Sequence, residues 1–335
     1  MATNTMNTPL WFYLLFPGLP FLALAFFMHR ITKNRHAAQQ PVYSMRRPAG
    51  YGLQQEANEL WEDFTNWLSV AVFTALLPTL AVILSSGSGL IPAIIGGAIA
   101  SSFTIWKMWK AYAPLPGYWL GVRGEQATGG ELDTMQGDFV RVFHDLVITE
   151  KGVTWNIDHV ILTRCGLISI ETKARRKKMN VEGKAHALSS DGRRVNFPDG
   201  SYDKASIEQS LRNGKWLKRQ ATEWTGGDDI PVIAVVAYPG WLVNHTDEGD
   251  VYVRNPKEIR EMLNFQEHRL YEKNWQILCN QLEAACSVEF NDPKPKKKVL
   301  PQASTKLPHH GVKKAAKETV EATKSEAVDT EAVAK

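Results

Sequence analysis

The chain has 335 residues and a formal net charge of +4, enough length for a membrane region and one soluble domain of ordinary size. Its three cysteines are odd in number and lack a C-x-x-C spacing, so the sequence supports neither a disulfide framework nor a zinc site. The positive charge is concentrated, because residues 173–219 hold 13 Lys or Arg against five Asp or Glu. This local excess favours a polyanionic partner.

Two apolar regions near the N-terminus predict membrane-spanning helices. Residues 10–28 form an uncharged run of 19 residues, close to the roughly 20 that a helix needs to cross a bilayer. A cleaved signal peptide is the alternative, but no Lys or Arg precedes the run and no convincing cleavage site follows it. Residues 64–106 carry no charge and predict two more spans, about 67–84 and 90–109, joined by a Ser/Gly turn. A buried helical pair in a soluble core is the alternative for these two.

The positions of Lys and Arg predict the orientation of this membrane region. Five of them lie in residues 29–66 and two more follow the third run, whereas the first nine residues and the Ser/Gly turn have none. Positive-inside counting therefore places the N-terminus outside and the chain after about residue 107 in the cytoplasm. We expect a multi-pass protein of a bacterial inner membrane, with residues 1–112 as its membrane region.

A soluble domain is expected over residues 113–290. Residues 113–117, A-P-L-P-G, are interpreted as a stiff boundary, and a first helix is predicted to begin near Gly121. The predicted strands are residues 139–148, 179–188, 193–197 and 230–238. The predicted helices are an amphipathic basic helix over about 204–224, a helix from Asn255 to about Leu263, and a last helix over about 268–286. Residues 291–335 are interpreted as a basic linker and a disordered tail.

Residues 156–173, N-I-D-H-V-I-L-T-R-C-G-L-I-S-I-E-T-K, predict a tight β-hairpin. A loop at 163–166 sets a register in which Asp158 falls opposite Glu171. Asp158, Glu171 and Lys173 then share one face, and two carboxylates can hold a divalent metal against a phosphate. A surface ion-pair cluster is the alternative for these three charges.

Motifs around this hairpin follow one another in a specific order. They are G-x-x-G-E at 121–125, I-D-H-V-I-L at 157–162, G-L-I-S-I-E-T-K at 166–173, and Gln209 in the basic helix. The set resembles the nuclease-related domain (NERD), a branch of the PD-(D/E)XK nucleases, over about residues 121–238. The resemblance implies an α/β fold of restriction-endonuclease type, in which helices flank a mixed central sheet. In this chain the α-helical membrane region would precede it.

The resemblance also implies a metal site. Asp158, Glu171 and the backbone carbonyl of Thr172 would bind Mg²⁺, with Mn²⁺ as an alternative ion. Lys173 would position the attacking water and stabilise the charge that develops on the phosphate. Ala174 and a basic insertion stand where the family often has an aromatic residue followed by glycine, a departure that concerns the substrate and leaves every implied metal ligand in place.

Two further residues receive catalytic roles from the resemblance. Glu125 would orient a metal-bound water or bind a second ion, and Gln209 would contact substrate or water. The alternative for Glu125 is a carboxylate that meets a helix dipole, and the alternative for Gln209 is a polar residue on a helix face.

Eight basic residues are the candidate nucleic-acid contacts: Arg175, Arg176, Lys177, Lys178, Arg212, Lys215, Lys218 and Arg219. Such contacts bind phosphates without reading sequence, and a solvated loop is the alternative for the first four. The function expected is a membrane-tethered, Mg²⁺-dependent nuclease that cleaves nucleic acid, DNA more than RNA, at the cytoplasmic face. The alternative is a membrane-anchored nucleic-acid-binding adaptor, or a component of a DNA-transfer or secretion assembly with little or no turnover.

Overall fold

The computed structural model describes most of the chain between residues 46 and 287. The described ranges are 46–84, 90–150, 152–177, 186–245, 249–266 and 269–287. The side chains of residues 75–84, 90 and 92–94 fall outside the description. The predicted span 10–28, most of the predicted strand 179–188, Lys178 and the predicted tail 291–335 also lie outside the described residues.

Two long helices form where the sequence predicts the second and third spans. Helix α1 covers Tyr51–Leu84 and helix α2 covers Leu90–Tyr112. The helices pack against each other, for example through the rings of Trp67 and Phe103, whose centroids are 5.9 Å apart. Across the residues that the structure describes, no helix is both long and apolar enough to cross a membrane.

Helix α3, Leu115–Asp133, begins earlier than the predicted start near Gly121. Pro114 is its N-cap and a second proline lies in its first turn, where a missing N–H costs no intrahelical hydrogen bond. The residues interpreted as a stiff boundary therefore start a helix. Gly124 has a packing role in this helix, because a Cβ there would lie 2.5 Å from the Cβ of Ala174. A larger residue would push α3 away from the end of the hairpin.

The central sheet has five strands: β1 (Val140–Glu150), β2 (Val153–Thr163), β3 (Gly166–Thr172), β7 (Val232–Ala237) and β9 (Val251–Arg254). Neighbouring strands follow the order β1-β2-β3-β7-β9. Strands β1, β2 and β3 pair antiparallel, whereas β3, β7 and β9 pair parallel. The prediction of a mixed sheet in an α/β domain is therefore confirmed.

A second sheet of four short strands has the order β6-β5-β4-β8. The bounds are Ala187–Ser190 (β4), Val195–Asn196 (β5), Tyr202–Asp203 (β6) and Leu242–His245 (β8). Strand β5 falls within the predicted strand 193–197. The sequence did not predict the sheet as a whole, because β4 pairs with β8, which is distant along the chain.

Helices cover both faces of the central sheet. Helices α4 (Ala205–Trp224) and α5 (Glu272–Ala285) lie on one face. Their core contacts include Leu162, Leu167, Leu217 and Leu278. Helix α3 and a 3₁₀ helix, Pro256–Met262, cover the other face through Leu132, Ile161, Ile170 and Ile259. A helix was predicted from Asn255 to about Leu263, and a 3₁₀ helix forms there with the predicted N-cap.

Candidate active site

The β2-β3 hairpin has the predicted register. Leu162 pairs with Leu167 and Thr163 pairs with Gly166, so a tight turn joins the strands. Gly166 has a φ of 138°, a backbone conformation that other residues rarely adopt. The pairing continues to His159 and Ile170, and Asp158 and Glu171 are the residues that follow this pair along the two strands.

Asp158 lies at the centre of a buried acidic cluster. Its side chain is 6% exposed, and Oδ2 accepts a hydrogen bond of 2.7 Å from the backbone N–H of Thr172. Burial raises the pKa of Asp158 well above its usual value, and the carboxylates of Glu171 and Glu125 raise it further. Lys173 and the Thr172 N–H oppose this shift of the pKa without cancelling it. The protein therefore holds several carboxylates closer together than their charges favour.

Glu171 and Lys173 form an ion pair beside Asp158. Oε1 of Glu171 accepts a hydrogen bond of 2.7 Å from Nζ of Lys173. Burial alone would lower the pKa of Lys173, but the carboxylates of Glu171 and Asp158 outweigh burial and raise it. Lys173 is therefore charged at neutral pH. Its side chain is 34% exposed, whereas that of Glu171 is 3% exposed, so solvent reaches Lys173 more readily than Glu171.

Helix α4 contacts both members of this ion pair. Oε1 of Gln209 accepts a hydrogen bond of 3.3 Å from Nζ of Lys173. One turn later, Nδ2 of Asn213 donates a hydrogen bond of 3.2 Å to Oε2 of Glu171. Gln209 was predicted as a substrate or water contact, and the structure places it against the lysine. Asn213 was not predicted, and its spacing of four residues from Gln209 was the only sequence signal for it.

Asp203 is a second residue that sequence reasoning missed. It helps to raise the pKa of Lys173, so its carboxylate lies near the site. Tyr238 donates a hydrogen bond of 3.0 Å to Oδ2 of Asp203, and Ser206 donates one of 2.7 Å to the same atom. These donors fix the carboxylate at the end of the short strand β6.

Glu125 reaches the acidic cluster from helix α3. Its side chain is buried, and its carboxylate raises the pKa of Asp158. Glu125 lies inside α3 rather than in the first turn, so the alternative of a carboxylate at a helix N-terminus is wrong. The close approach at Gly124 brings this part of α3 to the site.

The donor atoms of the cluster suit a hard divalent cation. Carboxylates from Asp158, Glu171 and Glu125 supply only oxygen, which Mg²⁺ and Mn²⁺ prefer to nitrogen or sulfur. Within the described ranges, no three His, Cys, Asp or Glu side chains are arranged as a complete metal site. Mg²⁺ is commonly held by one or two carboxylates and keeps several waters, so the carboxylates present fit that mode.

Comparison with known proteins identifies the region that carries this cluster. The nuclease-related domain family model matches residues 120–239. An uncharacterized protein of Bacillus anthracis is 26% identical over 121 residues, which are 36% of this chain and 53% of that protein. The chain therefore spans about half the length of that relative. No solved structure matches the chain.

The nuclease-related domain contains every predicted catalytic residue, from Glu125 to Gln209. Its match agrees closely with the predicted limits 121–238. The resemblance that the sequence motifs indicated is therefore confirmed for this region.

The seven described residues among the predicted nucleic-acid contacts fall into two groups. Arg175 donates a hydrogen bond to Ser201, lies 3.5 Å from a carboxylate oxygen of Asp199, and stacks on Phe197 with 3.8 Å between guanidinium and ring centroid. Lys218 and Arg219 form ion pairs of 3.1 and 3.2 Å with Asp229 and Glu150. The other four, Arg176, Lys177, Arg212 and Lys215, are exposed and form no ion pair with a described residue. This second group is the better candidate for phosphate contacts.

Proposed function

We propose that the nuclease-related domain is a PD-(D/E)XK-type nuclease that hydrolyses phosphodiester bonds with the help of Mg²⁺. The observation that carries the proposal is the pairing of Glu171 with Lys173 beside the buried carboxylate of Asp158, in a region that matches the nuclease-related family. A surface ion pair would not need a second and a third buried carboxylate. The energetic cost of this cluster points to a cation that offsets it.

The residues of the chain have distinct roles in this proposal. Asp158 and Glu171 would hold the metal, together with the backbone carbonyl of Thr172. A bound ion would supply Lewis-acid stabilisation of the charge that develops on the phosphate. Lys173 presents a fixed positive charge to the same phosphate, and Gln209 restrains its Nζ. Glu125 would orient a water beside the metal.

We propose DNA as the substrate. The four exposed cations Arg176, Lys177, Arg212 and Lys215 lie on the loop after β3 and on α4, the two segments that also bear Lys173 and Gln209. Lysine and arginine in such positions bind the phosphate backbone without reading bases. A substrate that follows these residues would pass the acidic cluster.

The full-length chain, incubated with labelled linear and circular DNA, single-stranded DNA and RNA in the presence of Mg²⁺, tests this proposal. We expect cleavage of DNA that chelation stops and that the Asp158→Ala/Glu171→Ala double variant lacks. Equal cleavage by the wild-type protein and the double variant would overturn the enzymatic role.

A nucleic-acid-binding adaptor without turnover, acting alone or within a DNA-transfer or secretion assembly, is the second candidate. It is favoured by the exposed cations Arg176, Lys177, Arg212 and Lys215, which suit a phosphate backbone whether or not a bond is cleaved. In that case, binding to DNA would depend on salt and survive Glu171→Ala, and cleavage would be absent.

Membrane attachment is a further part of the proposal. Helices α1 and α2 expose large apolar side chains, among them Phe73, Ile91 and Ile99. The ammonium group of Lys107 lies 5.4–5.7 Å from the ring centroids of Trp67, Phe103 and Trp106. Tryptophan beside lysine is typical of the interface between a bilayer and water. We propose that this helical pair contacts a lipid bilayer in the bacterial inner membrane, with the nuclease-related domain in the cytoplasm.

Fractionation of cells tests this attachment. We expect the chain in the membrane fraction after a high-salt wash, and a reporter fused after Lys110 to be active in the cytoplasm. Recovery of the whole chain in the washed supernatant would overturn the attachment.

A further inference from the structure

Asn213 makes a contact to the acidic cluster for which the nuclease chemistry proposed above has no role. Its side chain is 3% exposed, and Nδ2 donates a hydrogen bond of 3.2 Å to Oε2 of Glu171. The other oxygen of that carboxylate accepts from Lys173, so each oxygen of Glu171 has one protein donor. A carboxylate has about four lone-pair sites, which leaves roughly two for a further partner.

Helix α4 is fixed against the sheet on both sides of Asn213. Oγ of Ser210 donates a hydrogen bond of 3.0 Å to the carbonyl oxygen of Val235 in β7. At Gly214 an added Cβ would lie 3.0 Å from the Cβ of Ala234, so glycine lets the helix come this close without displacing Ala234. Asn213 therefore lies on a rigid element, and its amide has a defined position relative to β3.

A neutral amide is suited to orienting a metal-binding carboxylate. It fixes the rotation of the Glu171 side chain without adding a positive charge that would compete with a cation. Without it, the Lys173 ammonium would be the one described hydrogen-bond donor to this carboxylate and would draw its oxygens towards itself. Partners of this kind around metal ligands typically change metal affinity by about 10–100-fold when they are removed.

We propose that Asn213 is a positioning residue that holds Glu171 in the orientation that binds a divalent cation. The inference rests on the proposed metal-dependent function of the same site. Gln209 contacts Lys173 from the preceding turn of the same helix, so one face of α4 would set the orientation of both the carboxylate and the ammonium group.

Binding of Mn²⁺ to the full-length chain tests the role of Asn213 without any need for catalysis. Free Mn²⁺ is measured by electron paramagnetic resonance during a titration, and thermal unfolding is followed in the same samples. For Asn213→Leu we expect an Mn²⁺ affinity at least about tenfold lower than that of the wild type. Asn213→Ser is the second variant, because its hydroxyl lies on a shorter stem that does not reach Oε2 of Glu171, and the change adds no volume to the core.

Asn274 offers a matched control away from the site. It is also buried on a helix, and its Nδ2 donates a hydrogen bond of 2.7 Å to a carboxylate oxygen, that of Asp228. Asn274→Leu and Asn274→Ser should lower the melting temperature as the Asn213 variants do, but they should leave Mn²⁺ affinity unchanged. A loss of Mn²⁺ affinity caused by general destabilisation would appear in the Asn274 variants as well as in the Asn213 variants.

The outcomes separate this inference from the proposed function. Unchanged Mn²⁺ affinity in both Asn213 variants, or an equal loss in the Asn274 variants, overturns the role of Asn213 alone. Wild-type protein that binds Mn²⁺ and cleaves no nucleic acid overturns the nuclease proposal, while the comparison of affinities still decides the role of Asn213. Wild-type protein that binds no Mn²⁺ overturns both.

Discussion

Replacing Asp158 by asparagine should make the metal-free protein more stable. The buried carboxylate has a raised pKa because of its burial and the nearby carboxylates of Glu171 and Glu125. Asparagine has nearly the same shape, and its side-chain oxygen can still accept the 2.7 Å hydrogen bond from the N–H of Thr172. The substitution therefore removes the buried charge and keeps the hydrogen bond. Most core substitutions lower the stability of a protein, whereas this one should raise it.

The size and sign of this effect depend on pH. A raised pKa in the folded state means that the stability contributed by Asp158 is fully present below its unfolded pKa of about 4 and is lost as the pH rises through the folded value. The gain from Asp158→Asn should thus be largest at pH 8, at about 0.5–2 kcal/mol, and should disappear in acid. For a domain of 150–250 residues, each kcal/mol corresponds to about 2–4 °C in melting temperature.

Bound Mg²⁺ should make the wild-type protein more stable than the Asp158→Asn variant, the reverse of the order without metal. Mg²⁺ at 100 times its dissociation constant would stabilise the wild-type protein by about 2.7 kcal/mol, whereas the Asp158→Asn variant should respond weakly. Thermal unfolding of both proteins at pH 5 and pH 8, with and without Mg²⁺, measures these differences. A variant that is less stable than the wild type at pH 8 without metal would refute the reasoning that the carboxylates are held together at an energetic cost.

Three further predictions concern the lysine, the helix contact and the basic surface. Lys173→Met should lower the rate of cleavage by about 10²–10³-fold. It should also lower the free energy of unfolding in urea by about 1–3 kcal/mol, because it breaks a half-buried ion pair. Unchanged cleavage would exclude a role of Lys173 in stabilising charge on the phosphate. Gly124→Val should lower the free energy of unfolding by about 1–3 kcal/mol. Gly130→Ala on the same helix, where an added Cβ meets open space, should raise the free energy of unfolding by up to about 1 kcal/mol. Equal effects of the two substitutions would contradict the packing argument. Three exposed cations are neutralised in the last variant: Arg176, Arg212 and Lys215. This variant should reduce the slope of log affinity for DNA against log salt concentration by up to about 3. Neutralising the ion-paired Lys218 and Arg219 should reduce the slope less. A larger effect of Lys218 and Arg219 would show that they, rather than the other three, contact the phosphates.

The hairpin was predictable because its register is encoded locally. Alternation of apolar residues and a short turn at 163–166 fix which residues of β2 and β3 face each other, and the structure has this pairing. The order of the motifs around it was equally local, and the family match over residues 120–239 agrees with it. Helix α4 and strand β7 were also predicted, since their apolar periods are distinct.

Other features depended on contacts between distant segments. The start of α3 was missed because A-P-L-P-G is typical of a boundary, while its prolines also fit a first helical turn. Arg175 was predicted to contact nucleic acid, yet Ser201, Asp199 and Phe197 come to it from the loop before β6. No local pattern indicates such partners.

The longer helices, the main strands, the hairpin register and the Asp158, Glu171 and Lys173 group were predictable from the sequence, and the resemblance of the motifs also indicated Glu125. Asn213 from α4 and Asp203 from β6 came to light only in the folded structure, as did the second sheet and the early start of α3. Periodicity and turn chemistry act between near neighbours in the chain, so they do not report such contacts. The meeting of separate elements depends on how closely they pack, as at Gly124 and Gly214, and this is a property of the folded core.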